Sequence, residues 1–137
     1  EVIADSNKGK YFSSKGIKIS IQDLDGFTRV LENVFVDPDV RDYMINLVTV
    51  TRKYSKVAVG ASPRGSLALL KLSRAWAAIH GRDYVTPDDV KQFTRPALAH
   101  RILLDPSLWD IRESNNNIIR EIEETVAVPV FREKNEK

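Results

Sequence analysis

Apolar residues recur at helical spacing over most of the chain, and the gaps between the periodic stretches carry recognisable start and stop signals. After Ser20, with Asp23 three positions on, Leu24, Phe27, Val30, Leu31 and Val34 share one side and predict a capped helix, weakened at Gly26. Asp37-Pro38 opens a second helix with Val40, Tyr43, Met44, Leu47, Val48, Thr51 and Tyr54 on its apolar stripe. Lys56 to Val59 reads as a short extended connection. A third helix is expected from Pro63 to His80: Ser62 is a favoured N-cap, Pro63 fits the first helical position, and Gly81 supplies the stop. On it, Leu69, Leu72, Trp76 and Ile79 fall in one sector, and Leu67 and Leu70 widen the apolar surface. Arg64, Lys71 and Ala75 lie together beside that sector as a narrow basic edge. Thr86-Pro87-Asp88-Asp89 repeats the cap-plus-proline signal, with Val90 and Phe93 inward. Pro96 is expected to break or kink this helix near Arg95, leaving 97–101 as a separate turn or a kinked continuation. After the short apolar segment Ile102 to Leu104 and a loop through Pro106 and Asn115-Asn116-Asn117, a last helix carries Ile118, Ile119, Ile122 and Val126 ahead of Pro129.

These elements predict a mainly α fold, a small bundle of four to five helices with only short extended segments. Residues 1–17, rich in lysine, glycine and serine, read as an exposed linker, 18–129 as the helical domain and 130–137 as a frayed tail. A length of 137 residues suits one domain, and a first residue other than Met predicts a piece of a longer protein. A 42% hydrophobic and 29% charged composition is that of a soluble globular protein with no membrane span. With 21 Lys and Arg against 19 Asp and Glu, the net charge of +2 gives no argument for nucleic acid. The absence of cysteine excludes disulfides, thiolate zinc sites and cysteine nucleophiles, and is compatible with a reducing compartment.

Little in the chain carries chemistry of its own. No phosphate-cradling loop of the type G-x-x-x-x-G-K-[S/T] or G-x-G-x-x-G is present, so the chain cannot hold a nucleoside triphosphate alone. His80 and His100 lie on different elements without carboxylates at ligand spacing and read as surface or cap residues, with no metal site. Adjacent Asp88 and Asp89 cannot converge on one substrate atom and read as capping residues. Glu121, Glu123 and Glu124 read as a solvated helix face. Trp76 reads as core; Trp109 is expected to anchor the last helix, the alternative being a partner contact. The exception is Arg64. A cation in the first turn opposes the helix dipole by roughly 0.3–1 kcal/mol, yet a guanidinium fork beside helix N–H donors suits a phosphate or carboxylate. An arginine simply exposed to solvent, or paired with a nearby acid, is the competing explanation.

The ordered series Gly60-Ala61-Ser62-Pro63-Arg64, Trp76-Ala77-Ala78, Gly81-Arg82-Asp83-Tyr84-Val85-Thr86-Pro87-Asp88-Asp89-Val90 and His100-Arg101 resembles the C-terminal helical lid of the MoxR family of AAA+ ATPases. The likeness extends to Asp42-Tyr43, Thr51-Arg52 and Val126-Ala127-Val128-Pro129, about residues 18 to 129. It implies that Arg64 is the sensor 2 arginine, reaching from the lid to the γ-phosphate of ATP bound on the core domain, and that Tyr43 lies near the adenine. Gly65 stands where the family usually has alanine. Walker A, Walker B, sensor 1 and the arginine finger belong to the core domain and are not in this chain, so the fragment alone is expected to be inactive. The resemblance further implies a cytoplasmic parent that binds ATP and Mg, works in a ring, with six subunits expected, remodels or assembles protein complexes, and partners its own core domain, neighbouring subunits and a von Willebrand A-domain protein. A rival reading is an autonomous helical module that binds nucleic acid or an acidic protein surface through Arg64, Lys71 and Arg74. The spread of basic residues over all faces and the lack of interleaved exposed aromatics weigh against it.

Overall fold

The computed structural model describes residues 2–4, 10–14, 17–111 and 114–130, with side chains described for 20–109 and 114–130. Two compact units divide the chain, Glu1–Asn33 and Val34–Lys137. In the first, β1 (Val2–Ala4), β2 (Lys10–Ser14) and β3 (Ile17–Ser20) form an antiparallel meander, with Val2 opposite Phe12 and Tyr11 opposite Ser20. An irregular linker was the expectation for 1–17. The short runs Val2-Ile3, Tyr11-Phe12 and Ile17-Lys18-Ile19 have β-branched and aromatic residues suited to strands, each too brief to stand out among lysines and glycines. The helix α1 (Ile21–Asn33) follows, opened by a reciprocal cap in which the Asp23 N–H donates to Ser20 Oγ at 3.1 Å and the Ser20 N–H to Asp23 Oδ2 at 3.0 Å. None of its residues is buried, Leu24, Phe27 and Val30 included. The expected boundary at residue 18 thus falls inside this unit. The expected tail 130–137 lies outside the described residues except for exposed Val130.

The second unit is a helical bundle. α2 (Pro38–Thr51) starts at Asp37, whose carboxylate accepts the Asp39 N–H at 2.8 Å, and buries Val40, Tyr43, Met44, Leu47, Val48 and Thr51. A short strand β4 (Val57–Val59) leads to α3 (Arg64–Ile79), which packs on α2 and on α4 (Pro87–Leu98). β5 (Leu103–Leu104) pairs antiparallel with β4, and α5 (Asn115–Thr125) closes the bundle against α2 and α4. Ile118, Ile119 and Ile122 are fully enclosed, each worth roughly 1.5–3 kcal/mol of apolar burial. On α5, Glu121 accepts hydrogen bonds from Tyr54 Oη at 2.7 Å and Lys56 Nζ at 2.8 Å, and Glu123 is half-buried. These two residues replace the solvated acidic face expected there.

Packing also redistributes the α3 surface. The buried stripe is Gly65, Leu69, Ser73 and Ala77, an i, i+4 row of mostly small residues that brings α3 close to its neighbours. Leu67, Leu72 and Ile79 face outward instead, and Trp76 is half-buried, edge-on to Phe93 with ring centroids 5.6 Å apart. Pro96 does not end α4: the helix runs on to Leu98 and then tightens into a 3-10 turn, Ala99–Arg101. Pro96 itself is exposed, while the deeply buried Ala97 and Leu98 hold the final turn in place. Trp109, in the 3-10 turn Pro106–Ile111, is 64% exposed, so it does not anchor α5; Leu108 packs inward from that turn. No helix among the described residues is long and apolar enough to cross a membrane.

The turn from α3 to α4 is held by a dense set of hydrogen bonds. Gly81 takes φ +70, the left-handed conformation that ends α3. Beyond it Phe35 bridges Tyr84, its N–H donating to the Asp83 carbonyl at 2.7 Å and its own carbonyl accepting from the Val85 N–H at 3.0 Å. Thr86 and Asp89 form a full capping box, and Arg82 grips the same carboxylate with two bonds of 2.8 and 2.7 Å. Burial pushes the Asp89 carboxyl up, but its bonds from Arg82 and Thr86 outweigh that and hold it below its ordinary value. A depressed carboxyl stabilises the fold above pH 3.8 and loses that contribution as pH falls through the folded-state value. Asp89→Asn is therefore expected to lower stability by about 1–3 kcal/mol at pH 7, with the gap to wild type closing under acid; urea titrations at pH 7 and pH 3 check both the size and the closing.

Candidate functional site

Ala61 lies between β4 and α3 and is completely buried, so both of its backbone polar groups need partners inside the protein. The end of α2 provides them. Thr51 Oγ1, fully buried and itself donating to the Val48 carbonyl at 2.6 Å, accepts the Ala61 N–H at 2.9 Å. Arg52, the C-cap of α2, donates from Nε to the Ala61 carbonyl at 2.8 Å. Gly60 makes the approach possible: a Cβ there would stand 2.6 Å from both Cα and Cγ of Arg52. Gly65, at the start of α3, serves the same purpose, since its missing Cβ leaves room for Leu98 and Val48. Gly65 thus lets α3 seat closely against Val48 and Leu98.

Ser62 does not cap α3. The N-cap position is Pro63, without a side-chain cap, and Arg64 is the first helical residue. The tight start consumes the early donors: the Gly65 N–H bonds to the Ser62 carbonyl at 2.8 Å, and the Ser66 and Leu67 N–H groups to the Pro63 carbonyl. The Gly65, Ser66 and Leu67 N–H groups of the expected fan are therefore not available beside Arg64. Its guanidinium is. Arg64 is exposed, and none of the described residues pairs with it. Lys71 is exposed as well, but Arg74 Nε donates to the Val34 carbonyl at 3.1 Å, so the basic edge is partly spent on the fold.

Tyr43 sits elsewhere on α2, 2% exposed; no hydrogen bond joins it to Arg64 among the described residues, and Arg64 does not line the cleft at Tyr43. Its hydroxyl is enclosed without a hydrogen-bond partner among the described residues, and burial, then the charges of Glu123 and Asp88, push the phenol up to about 12. Tyr43 lines an open cleft of about 540 Å³ with Asp37, Asp39, Asp42, Asn46 and the segment 127–130. Glu123 on α5 has an enclosed Oε1 with no partner among the described residues. Burial raises its carboxyl, against the opposing pull of Thr94, Arg95 and Lys91. His80 and His100 are both exposed on separate elements, His80 with Nδ1 at 2.8 Å from the Trp76 carbonyl.

This arrangement coincides with a known module. The AAA lid domain model matches residues 50–122, which takes in the Thr51–Arg52 clamp, the Arg64 helix start and the bonded corner. The chain is 39% identical over 114 residues to YeaC of Bacillus subtilis, covering 83% of this chain and 36% of that protein. It is 35% identical to chaperone MoxR1 of Mycobacterium tuberculosis, covering 81% and 32%. A crystal structure of a candidate ATPase from Cytophaga hutchinsonii superposes with a TM-score of 0.77 at 28% identity, over 82% of this chain and 37% of that one. The chain belongs to the AAA lid domain family. Within it, this is a lid of the MoxR type of AAA+ ATPase, spanning about a third of the length of the relatives it matches.

Two changes probe the geometry. Gly60→Ala drives a methyl into the backbone of Arg52 and is expected to cost about 1–3 kcal/mol, read as a lower denaturation midpoint. Glu123→Gln is expected to stabilise by about 1 kcal/mol at pH 7, because above the raised folded-state pKa the fold carries an ionised carboxylate with an unpaired oxygen. Below the ordinary value of 4.5 both folded and unfolded chains hold the proton, so the gain should vanish there; thermal melts across pH 4–8 follow it.

Proposed function

We propose that the chain is the sensor 2 lid of its parent ATPase and that Arg64 contacts the γ-phosphate of ATP held on the core domain. The supporting observation is the exposed guanidinium at the first residue of α3, unpaired among the described residues, in a helix start whose Gly65, Ser66 and Leu67 N–H groups are already bonded. A cation there opposes the helix dipole in the isolated lid, and a phosphate placed against it would relieve that cost. The planar fork fits phosphate oxygens and is most useful where negative charge shifts during phosphoryl transfer. Tyr43 enters this reading only through the cleft it lines at the start of α2, where the resemblance puts the adenine. In the parent, ATP and Mg would be held by the core, and Arg64 would report nucleotide state as a lid angle. Rigid-body motion of the lid would pass that state to the next subunit of a ring of six and on to a client complex or a von Willebrand A-domain partner. Chaperone-like remodelling and a cytoplasmic setting belong to the same proposal, as does the role of residues 1–17 as the end of the core-to-lid connection.

In the full-length parent, Arg64→Ala is expected to lower ATP turnover or ATP affinity by tenfold or more, about 1.4 kcal/mol at the phosphate. Unchanged turnover together with unchanged affinity would sink the sensor role.

A further inference from the structure

We infer that Arg52 is a positioning residue for Arg64, acting through its bond to the Ala61 carbonyl; this rests on the sensor reading of Arg64. Three observations carry it. Ala61 is completely buried and held at both ends of its backbone by consecutive residues at the end of α2, Thr51 at the N–H and Arg52 at the carbonyl. Only Ser62 and Pro63 separate that anchored residue from Arg64. Neither has much freedom, because the Ser62 carbonyl is bonded by the Gly65 N–H at 2.8 Å and the proline ring restricts φ, here −54. The start of α3 has no side-chain cap, so its place is set by what precedes it.

The Arg52 bond also differs from that of Thr51 in kind. Thr51 is buried and satisfies an N–H that the core would otherwise strand. Arg52 is exposed, and its bond reaches the carbonyl from the surface side. Losing it leaves the buried Ala61 carbonyl short of a partner and removes one of the two points that fix the loop. The result is a small rotation or drift of the α3 start, amplified at the tip of the long Arg64 side chain. Misplacement on the scale of 1 Å at a catalytic group is costly without any change in fold.

The side chains available for substitution separate this role from a direct one. The amide nitrogen of glutamine stands the same number of bonds from the backbone as Nε of arginine, so Arg52→Gln keeps a donor for Ala61 while removing the charge and both terminal nitrogens. In the full-length ATPase, turnover and KM for ATP are measured for Arg52→Ala, Arg52→Gln, Arg64→Ala and the double variant Arg52→Ala/Arg64→Ala, with thermal melts of each. Arg52→Ala is expected to melt lower, because the buried Ala61 carbonyl loses its donor, and to lose roughly threefold or more in turnover at a temperature where every variant is folded; Arg52→Gln is expected to recover most of both, and the double variant to turn over no more slowly than Arg64→Ala alone. Full turnover in Arg52→Ala beside an impaired Arg64→Ala overturns the positioning role and leaves the sensor reading standing. A loss in Arg52→Gln as large as in Arg52→Ala, or multiplying losses in the double variant, also overturns it, since Arg52 would then act by its own charge. Normal turnover in Arg64→Ala removes the sensor reading, and this inference with it.

Discussion

A residue with no solvent contact must find partners for its peptide groups within the protein, and in this lid that requirement falls on Ala61. Its position between β4 and α3 leaves no helix or strand ladder to serve it. The end of α2 meets the need with two side chains, and Gly60 lets the backbone come near enough for them to reach. The connection between α2 and α3 is thereby tied to the end of α2 at two points. The seating of α3 against Val48 and Leu98, the row of small residues along its buried face, and the presentation of Arg64 all follow from where this loop is pinned.

The opposite end of α3 is fixed by a different device. Gly81 turns the chain, the Thr86–Asp89 box starts α4, and Arg82 ties the turn to the box through the same carboxylate. Asp89 is buried, so its charge is stable only because donors from Arg82 and Thr86 converge on it. With both ends held, α3 behaves as a strut. A force on Arg64 would then be carried by the whole lid rather than absorbed by a loose loop, which is the mechanical property that the proposed sensor role requires.

Local signals were the legible ones. Ser20 with Asp23, Asp37 before Pro38, Thr86 with Asp89 and the stop at Gly81 act over three or four residues, and each works in the structure as its sequence spacing implies. Signals that depend on remote partners were misread or missed. Ser62 has the chemistry of a cap, but the chain enters α3 in a turn set by Ala61, so Pro63 takes the position. Leu72 and Ile79 share a helical sector with Leu69, yet the neighbours of α3 lie along Gly65, Leu69, Ser73 and Ala77. Thr51 looked like one more member of an apolar stripe; a hydroxyl at the end of such a stripe, shortly before a glycine-led turn, was the available hint of its role. The roles of Arg52 and Glu123 left no such trace, because each depends on a residue far along the chain or on burial that periodicity does not report. Arg64 was singled out by its conflict with the helix dipole, and the fold leaves that conflict unrelieved by any described partner.

The most direct measurement is a structure of the full-length protein with a non-hydrolysable ATP analogue and Mg. The account predicts the Arg64 guanidinium within hydrogen-bonding distance of the γ-phosphate, about 2.7–2.9 Å, with the Thr51 and Arg52 bonds to Ala61 in place. A γ-phosphate contacted only by other residues, with Arg64 left in solvent, would contradict it.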